Sequence, residues 1–255
     1  MHSMFADEYP GAGVSYSMYR HVLVSEYNVA FGEPRCDVCS TCAWFEEKLR
    51  LERDEYLKRS IETEQSLHKS QAKKFYALLK EPQDEHTVTL CFDLMQNQEL
   101  PRTPVGQAYY SRQQWQYFLG IVIWTYAEGR RSERVTFYTW GEHQAGRGPN
   151  EIGSAIFDYL SKKLLPGMTK VRLFSDNCPG QNNNFAMVGM LSAFAFHAKI
   201  AMEFFFPIRG HSYLPADRAF GRVEERFRRH EAILLLSGYF GKFRKEGEVL
   251  EYLAM

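Results

Sequence analysis

The sequence predicts an α/β fold: a mixed sheet with helices on its faces, preceded by a helical region that carries a cysteine cluster. Three observations point there. From residue 86 onward the apolar patterning runs β-β-β-α-β-α-β-α, three meandering strands followed by alternation of helix and strand. Residues 43–80 hold no Pro or Gly and are dense in Glu, Lys, Leu and Arg, as one long helix or a helical hairpin would be. Residues 171–174 form a short apolar run that leads to a carboxylate, Asp176, before the chain breaks at Pro179-Gly180.

A chain of 255 residues holds one large domain or two small ones and can bury a substantial core. The expected division is 1–83, helical with the cysteines, and 84–255, the sheet domain. A formal net charge of zero excludes global attraction to nucleic acid, so any such partner must be met by a local patch. Three of the five cysteines cluster at 36, 39 and 42, which suits a reducing compartment with a metal or free thiols better than a disulfide framework. The acidic start, Met1-His-Ser-Met-Phe-Ala-Asp-Glu8, has no apolar core and is no signal peptide. The longest apolar run, around 187–196, is too short to span a bilayer. The protein is expected to be soluble and intracellular, nuclear in preference to cytoplasmic, with no membrane partner.

In chain order, residues 1–33 begin irregularly at Tyr9-Pro-Gly-Ala-Gly13 and continue as a helix over 15–26, ended by Pro34. The Cys36-Asp-Val-Cys-Ser-Thr-Cys42 ladder follows. Across 43–80 apolar residues recur at helical spacing in places, at Leu49, Tyr56, Phe75, Leu78 and Leu79, while 58–71 is mostly polar and reads as solvated. Pro82 to His86 reads as a linker. Val88, Leu90 and Phe92 then alternate with Thr87, Thr89, Cys91 and Asp93, the period of two of a strand. Runs at 118–126 and 134–140 are two more strands, joined by a hairpin-like turn at Glu128-Gly-Arg-Arg131. Gly146-Arg-Gly-Pro-Asn-Glu-Ile152 opens a helix, with Asn150 a candidate cap and Ile152, Ile156, Tyr159 and Leu160 on one face. After the strand at 171–175 come a helix over 183–198, a strand over 200–208, a helix over 215–230 and an apolar tail at 233–236.

Acids recur at chosen points of this pattern. Asp93 lies on the first strand, on the side opposite Val88, Leu90 and Phe92, and Asp176 ends the fourth. The last helix starts with Asp217, and Glu224 lies two turns on, with Gly221 between them on the same face. If the first and fourth strands are neighbours, Asp93 and Asp176 sit side by side with that helix packed across them. Carboxylates so close stay ionised only around divalent cations. Hard oxygen donors suit Mg²⁺ or Mn²⁺, and two such ions roughly 3.5–4 Å apart serve in-line attack on a phosphodiester. Asp217 is preferred to Glu224 as the third ligand, because His211 and Asp217 flank the turn into the helix. His211 ligates, transfers a proton or holds the loop. Asn177, Gln181 and Asn182 crowd the turn after Asp176 and are expected to shape a substrate pocket, with Arg218 and Arg222 holding phosphates. Simpler readings stand beside each of these. Either aspartate could pair with an arginine at a strand end, Asp176 could cap the next helix through an Asx turn, and the arginines could pair with Glu224, Glu225 and Glu231 on a solvated helix.

Cys39 and Cys42 offer the Cys-x₂-Cys half of a zinc site, with Cys36 a weaker third candidate. No second cysteine pair follows at finger spacing. The nearest partner is His68, which reaches them only if 43–80 is a hairpin; otherwise these are reduced surface thiols. Cys178 with His211 as a nucleophile pair is disfavoured, because Pro179-Gly180 supplies no helix N-terminus to lower the thiol pKa.

The order of elements and the placement of acids resemble the RNase H-like fold of the retroviral-integrase and DDE-transposase superfamily, a mixed five-stranded sheet flanked by helices. That fold puts one Asp on the first strand, a second at the end of the fourth, and a third acid on a helix after the fifth. Local strings are also similar to an uncharacterised eukaryotic family associated with transposable elements. These are Asp37-Val-Cys-Ser-Thr-Cys42, Trp140 with Ala145-Gly-Arg-Gly148 and Asn150-Glu-Ile152, Ser175-Asp-Asn-Cys-Pro-Gly-Gln-Asn182, and Gly210-His-Ser-Tyr-Leu-Pro-Ala-Asp-Arg-Ala-Phe-Gly-Arg-Val-Glu224. The resemblance runs from about residue 15 to 230. It implies a transposase- or integrase-type polynucleotidyl transferase or nuclease using two Mg²⁺ or Mn²⁺ ions, acting on nucleic acid, DNA first, and compatible with a homo-oligomer. The DNA-binding segment usual upstream in transposases is expected to be absent. Two alternatives remain: a catalytically silent, domesticated nucleic-acid- or protein-binding module of the same fold, and a zinc-stabilised helical adaptor fused to an inert sheet.

Overall fold

The computed structural model describes residues 2–27, 38–127, 130–164, 166–229 and 232–251. The chain divides into two compact units, Met1–Val38 and Cys39–Met255. The first holds α1 (His2–Glu8) and α2 (Tyr16–Glu26). Ser15 caps α2 by accepting the Met18 N–H at 3.2 Å, and the rings of His2, Phe5, Tyr9, Tyr16 and Tyr19 meet edge-on or tilted. Cys36 lies outside the described residues, as do Glu128 and Gly129 of the expected hairpin turn.

The second unit opens with α3 (Ser40–Leu51) and α4 (Glu55–Lys80). Of the two readings of 43–80, the hairpin is the one formed. Asp54 sets the break: its carboxylate accepts the N–H groups of Tyr56 and Leu57 at 2.7 and 3.2 Å, starting a new helix where no Pro or Gly interrupts the sequence. The fold-back carries the start of α3 beside the middle of α4. Towards the end of α4, Ala72, Phe75 and Leu79 are buried in the core beneath the sheet, so residues 39–83 pack as part of the sheet unit. Burying Phe75 and Leu79 contributes about 1.5–3 kcal/mol each.

Among the described residues the sheet has seven strands rather than the five expected. They are β1 (Thr87–Leu94), β2 (Gln98–Leu100), β3 (Gln114–Ala127), β4 (Arg130–Gly141), β5 (Lys170–Phe174), β6 (Ala201–Phe205) and β7 (Glu248–Glu251). The order is β6-β5-β1-β3-β4-β7, with β2 pairing the start of β3. The two extra strands, β2 and β7, are three and four residues long and too polar to show a period of two. β1 runs parallel to β5 and antiparallel to β3, and β5 parallel to β6. The first and fourth strands of the sequence reading are therefore neighbours.

Helices α5 (Gly106–Tyr110), α6 (Pro149–Lys163), α7 (Phe185–Ala198), α8 (Pro215–Arg228) and α9 (Leu236–Phe243) complete the unit. Gly148, not Asn150, precedes the first turn of α6: Pro149 takes the first helical position, and the Glu151 carboxylate accepts the Gly148 N–H at 2.8 Å. Alternation along β1 divides the core in two. Val88, Leu90 and Phe92 pack against α6 and α7. Cys91, with Phe118, Phe137 and Phe174, packs against α4, α8 and α9. Asp93 shares the parity of Cys91, so its side chain emerges on the α8 side of the sheet.

Candidate functional site

Asp93 sits near the end of β1, Asp176 two residues past the end of the adjacent β5, and Asp217 in the first turn of α8. The Asp93 and Asp217 carboxyls are close enough to hydrogen bond to each other, and the Asp176 charge is felt at Asp93 as well. Burial holds the Asp93 carboxyl well above the ordinary carboxylate range, and Asp217 and then Asp176 push it further. Burial also raises Asp176, with Asn182 and the Cys178 N–H opposing and Asp217 adding to the rise. Burial, neighbouring carboxylates and hydrogen-bond donors dominate at both acids; no Lys or Arg figures among the leading influences. A cavity of about 310 Å³ opens on the pair, lined by Asp93, Gln96, Asp217, Phe220, Gly221 and Glu224.

Each acid is held locally. Asp93 accepts the Leu94 N–H at 2.8 Å. Asp217 accepts the Leu214 N–H at 2.7 Å, closing the first turn of α8 with Pro215 at its first position. Asp176 accepts from the side-chain amide of Asn182, which is buried with its own Oδ1 unpartnered. Asn177 donates to the Pro207 carbonyl at 3.2 Å and accepts from Asn183 at 2.8 Å, and Gln181 donates to the Arg147 carbonyl at 3.4 Å. These amides brace the turn after β5. Arg222 is ion-paired with Glu246, which also binds Arg226, so its charge is committed to the α8–α9 packing; Arg218 is exposed.

His211 belongs to a different group. Its Nε2 lies 3.1 Å from His68 Nε2 and 3.4 Å from Cys42 Sγ, and Cys39 Sγ lies 3.4 Å from His68 Nε2. One donor atom from each of Cys39, Cys42, His68 and His211 falls within 4.8 Å of the others, a Cys₂His₂ group that could hold a metal ion. The hairpin brings His68 to the cysteines, and the loop between β6 and α8 supplies His211. Burial, then Cys39, raises the Cys42 thiol, while burial, then His68, lowers the His211 imidazole. The expectation of His211 beside the carboxylates meets a simple obstacle: its ring nitrogen faces sulfur and imidazole instead.

No protein-family model matches the sequence, and no curated protein matches it. Solved structures align with it loosely. The human cytomegalovirus terminase nuclease domain, Mn soaked, is 12% identical with a TM-score of 0.25, over 72% of this chain and 76% of that one. The mariner Mos1 paired end complex with Mg is 12% identical with a TM-score of 0.27, over 98% and 93%. NurA with manganese is 14% identical with a TM-score of 0.21, over 76% and 43%. At such values the likeness carries no functional argument.

Two features of the site escape a reading of the sequence. Gly120 stands opposite Asp93 across the β1–β3 ladder, and a Cβ there would lie 2.7 Å from Cζ of Phe220. A bare backbone at this position lets α8 lie close enough to bring Asp217 to Asp93. Glycine beside a strand acid is the only sequence signal, and it needs the register to be read. The second is a cleft of about 580 Å³ that shares Gln96 and Glu224 with the acid cavity and is lined by Arg102, Trp115, Arg147 and Arg228. Its arginines come from separate elements, so no run of basic residues announces it.

Proposed function

We propose that the chain is a divalent-cation-dependent polynucleotidyl transferase or nuclease domain of transposase or integrase type, with Asp93, Asp176 and Asp217 as cation ligands. The observation that carries the reading is the meeting of Asp93 with Asp217 at a partly buried cavity, with the Asp176 charge felt at Asp93 and no Lys or Arg among the leading influences. The donor chemistry suits a hard ion. Asp93 and Asp217 meet, Asp176 is near enough to be felt at Asp93, and burial with mutual repulsion favours a proton on Asp93 where a cation would otherwise balance the charge. Mg²⁺ or Mn²⁺ held there would supply charge stabilisation to the attacking and leaving oxygens of a phosphodiester. The chain's own residues do the rest. Asn182 fixes the Asp176 carboxylate, the Leu214 N–H orients Asp217, and Glu224 lines the opening as the candidate fourth acid.

The adjoining cleft suits a nucleic-acid strand: Arg102, Arg147 and Arg228 would contact phosphates and Trp115 a base face. The strand order, with β1 between parallel β5 and the antiparallel β3–β4 pair, supports an RNase H-like core extended at its edge. The resemblance to transposon-associated sequences makes DNA the first substrate to try.

One observation favours a second reading. Each acid also has a local structural partner, as expected of a catalytically silent, domesticated binding module. Plasmid cleavage in Mn²⁺ by the wild type and by Asp176→Ala separates the two. The proposal expects nicking by the wild type alone. Equal cleavage by both would place the activity elsewhere, and DNA retention without cleavage by either would favour the silent module.

A further inference from the structure

We propose that Cys39, Cys42, His68 and His211 form a structural zinc site, and that the ion clamps the β6–α8 loop to α4 so as to fix the first turn of α8 and Asp217 within it. The zinc site stands independently of the phosphodiester reading; its consequence for Asp217 deepens that reading.

The geometry of the donors comes first. A tetrahedral zinc with Zn–S of about 2.3 Å and Zn–N of about 2.0 Å sets its donor atoms roughly 3.3–3.8 Å apart. The three separations here are 3.1, 3.4 and 3.4 Å, with all four donors inside 4.8 Å. Two thiols and two imidazoles are a borderline-soft set that favours zinc over Mg²⁺ or Mn²⁺. All four positions are filled by side chains, which marks a closed structural site rather than one that keeps a position for substrate.

The loop is pressed onto this cluster in two further ways. Gly210 has φ of +79°, and a Cβ there would lie 2.7 Å from the Cys39 Cα, so the loop backbone rests directly on the start of α3. Tyr76, two turns beyond His68 on α4, donates its hydroxyl to the His211 carbonyl at 2.7 Å and accepts the Tyr213 N–H at 2.9 Å. Pro215, the first helical residue, follows two positions later, and Asp217 caps back on Leu214. An ion that holds His211 therefore shortens the free chain before Asp217 to five residues.

The test begins with metal content of the full chain expressed with zinc supplied: one zinc per chain in the wild type and almost none in Cys42→Ser or His211→Ala. His211→Cys keeps a zinc donor and should restore the ion, which separates loss of a ligand from loss of fold. Cobalt in place of zinc should give the intense visible bands of a tetrahedral thiolate site. A zinc-free wild type that also fails to take up cobalt in that geometry would overturn the site. The coupling is read by hydrogen exchange with a zinc-selective chelator in excess Mg²⁺. Amides of 216–220 should exchange about tenfold faster on zinc removal, while those of β1 and β5 hold. Unchanged exchange at 216–220 after complete zinc removal would overturn the clamp and leave the carboxylate reading untouched.

Discussion

The acid pocket and the Cys/His cluster take residues from adjoining stretches, the first turn of α8 and the loop before it, yet they are assembled by different means. The acids approach through sheet register: β1 and β5 lie side by side, and α8 packs across β1 and β3. Their charges repel and are partly buried, so the arrangement costs stability unless a proton or a cation is present. The Cys/His donors meet through a helical hairpin and a loop, with one donor atom from each of the four within 4.8 Å of the others. The first pocket stores repulsion that a hard ion would relieve. The second offers four complementary donors and no vacant position. On the proposed reading, the like charges would serve an ion that works with substrate, and the thiol–imidazole set an ion that holds the fold.

The largest effect should come from breaking the first pocket. Asp176→Ala or Asp93→Asn is expected to lower Mn²⁺-dependent cleavage at least ~100-fold in an oligonucleotide assay, a loss of about 2.7 kcal/mol of transition-state stabilisation. Asp93→Asn should also change how metal-free stability depends on pH. The folded state holds the Asp93 proton more tightly than the unfolded chain, whose carboxyl titrates near ~3.9. Stability from that proton is fully present below about pH 4 and is lost as pH rises through the raised folded value. Denaturation midpoints measured across that range should decline in the wild type, and both Asp93→Asn and saturating Mn²⁺ should flatten the decline.

Breaking the second site should cost stability first and activity second. Cys42→Ser is expected to lower the Tm by about 10 °C, from a loss of ~3–5 kcal/mol at roughly 2–4 °C per kcal/mol. Calorimetry with and without added zinc checks it, since the difference should vanish in zinc-stripped wild type.

A smaller effect sharpens the link between sheet and helix. Gly120→Ala would force Phe220 away and should cost ~1–3 kcal/mol in denaturant unfolding, with cleavage falling as Asp217 leaves Asp93. Adding Phe220→Leu should recover part of both losses. Smallest of all, Arg102→Ala and Arg228→Ala should each weaken nucleic-acid binding about 3–10-fold, equally across sequences. Each should reduce the slope of log affinity against log salt by about 1, measured by fluorescence anisotropy.

Much of this was legible in the chain because burial leaves a periodic trace. The alternation at 87–93 placed Asp93 opposite Val88, Leu90 and Phe92, and the apolar run at 171–174 marked the neighbouring strand. The Cys-x₂-Cys spacing and the polar, Gly-free stretch after it made His68 a candidate partner. What stayed hidden depended on contacts distant in sequence. The β2 and β7 strands owe their existence to partners on β3 and β4, not to their own composition. His211 looked like a neighbour of Asp217 because only five residues separate them, whereas the turn at Gly210 and the Tyr76 hydroxyl direct it to the cysteines. Arg222 looked free to hold a phosphate until the turn after α9 brought Glu246 to it.

The most direct measurement is anomalous scattering from crystals grown or soaked in Mn²⁺. The account predicts a manganese peak enclosed by the Asp93, Asp176 and Asp217 carboxylates, lost in Asp93→Asn and well apart from the Cys/His group. Saturating Mn²⁺ with no density among these three acids, or a basic side chain seated between them, would contradict it.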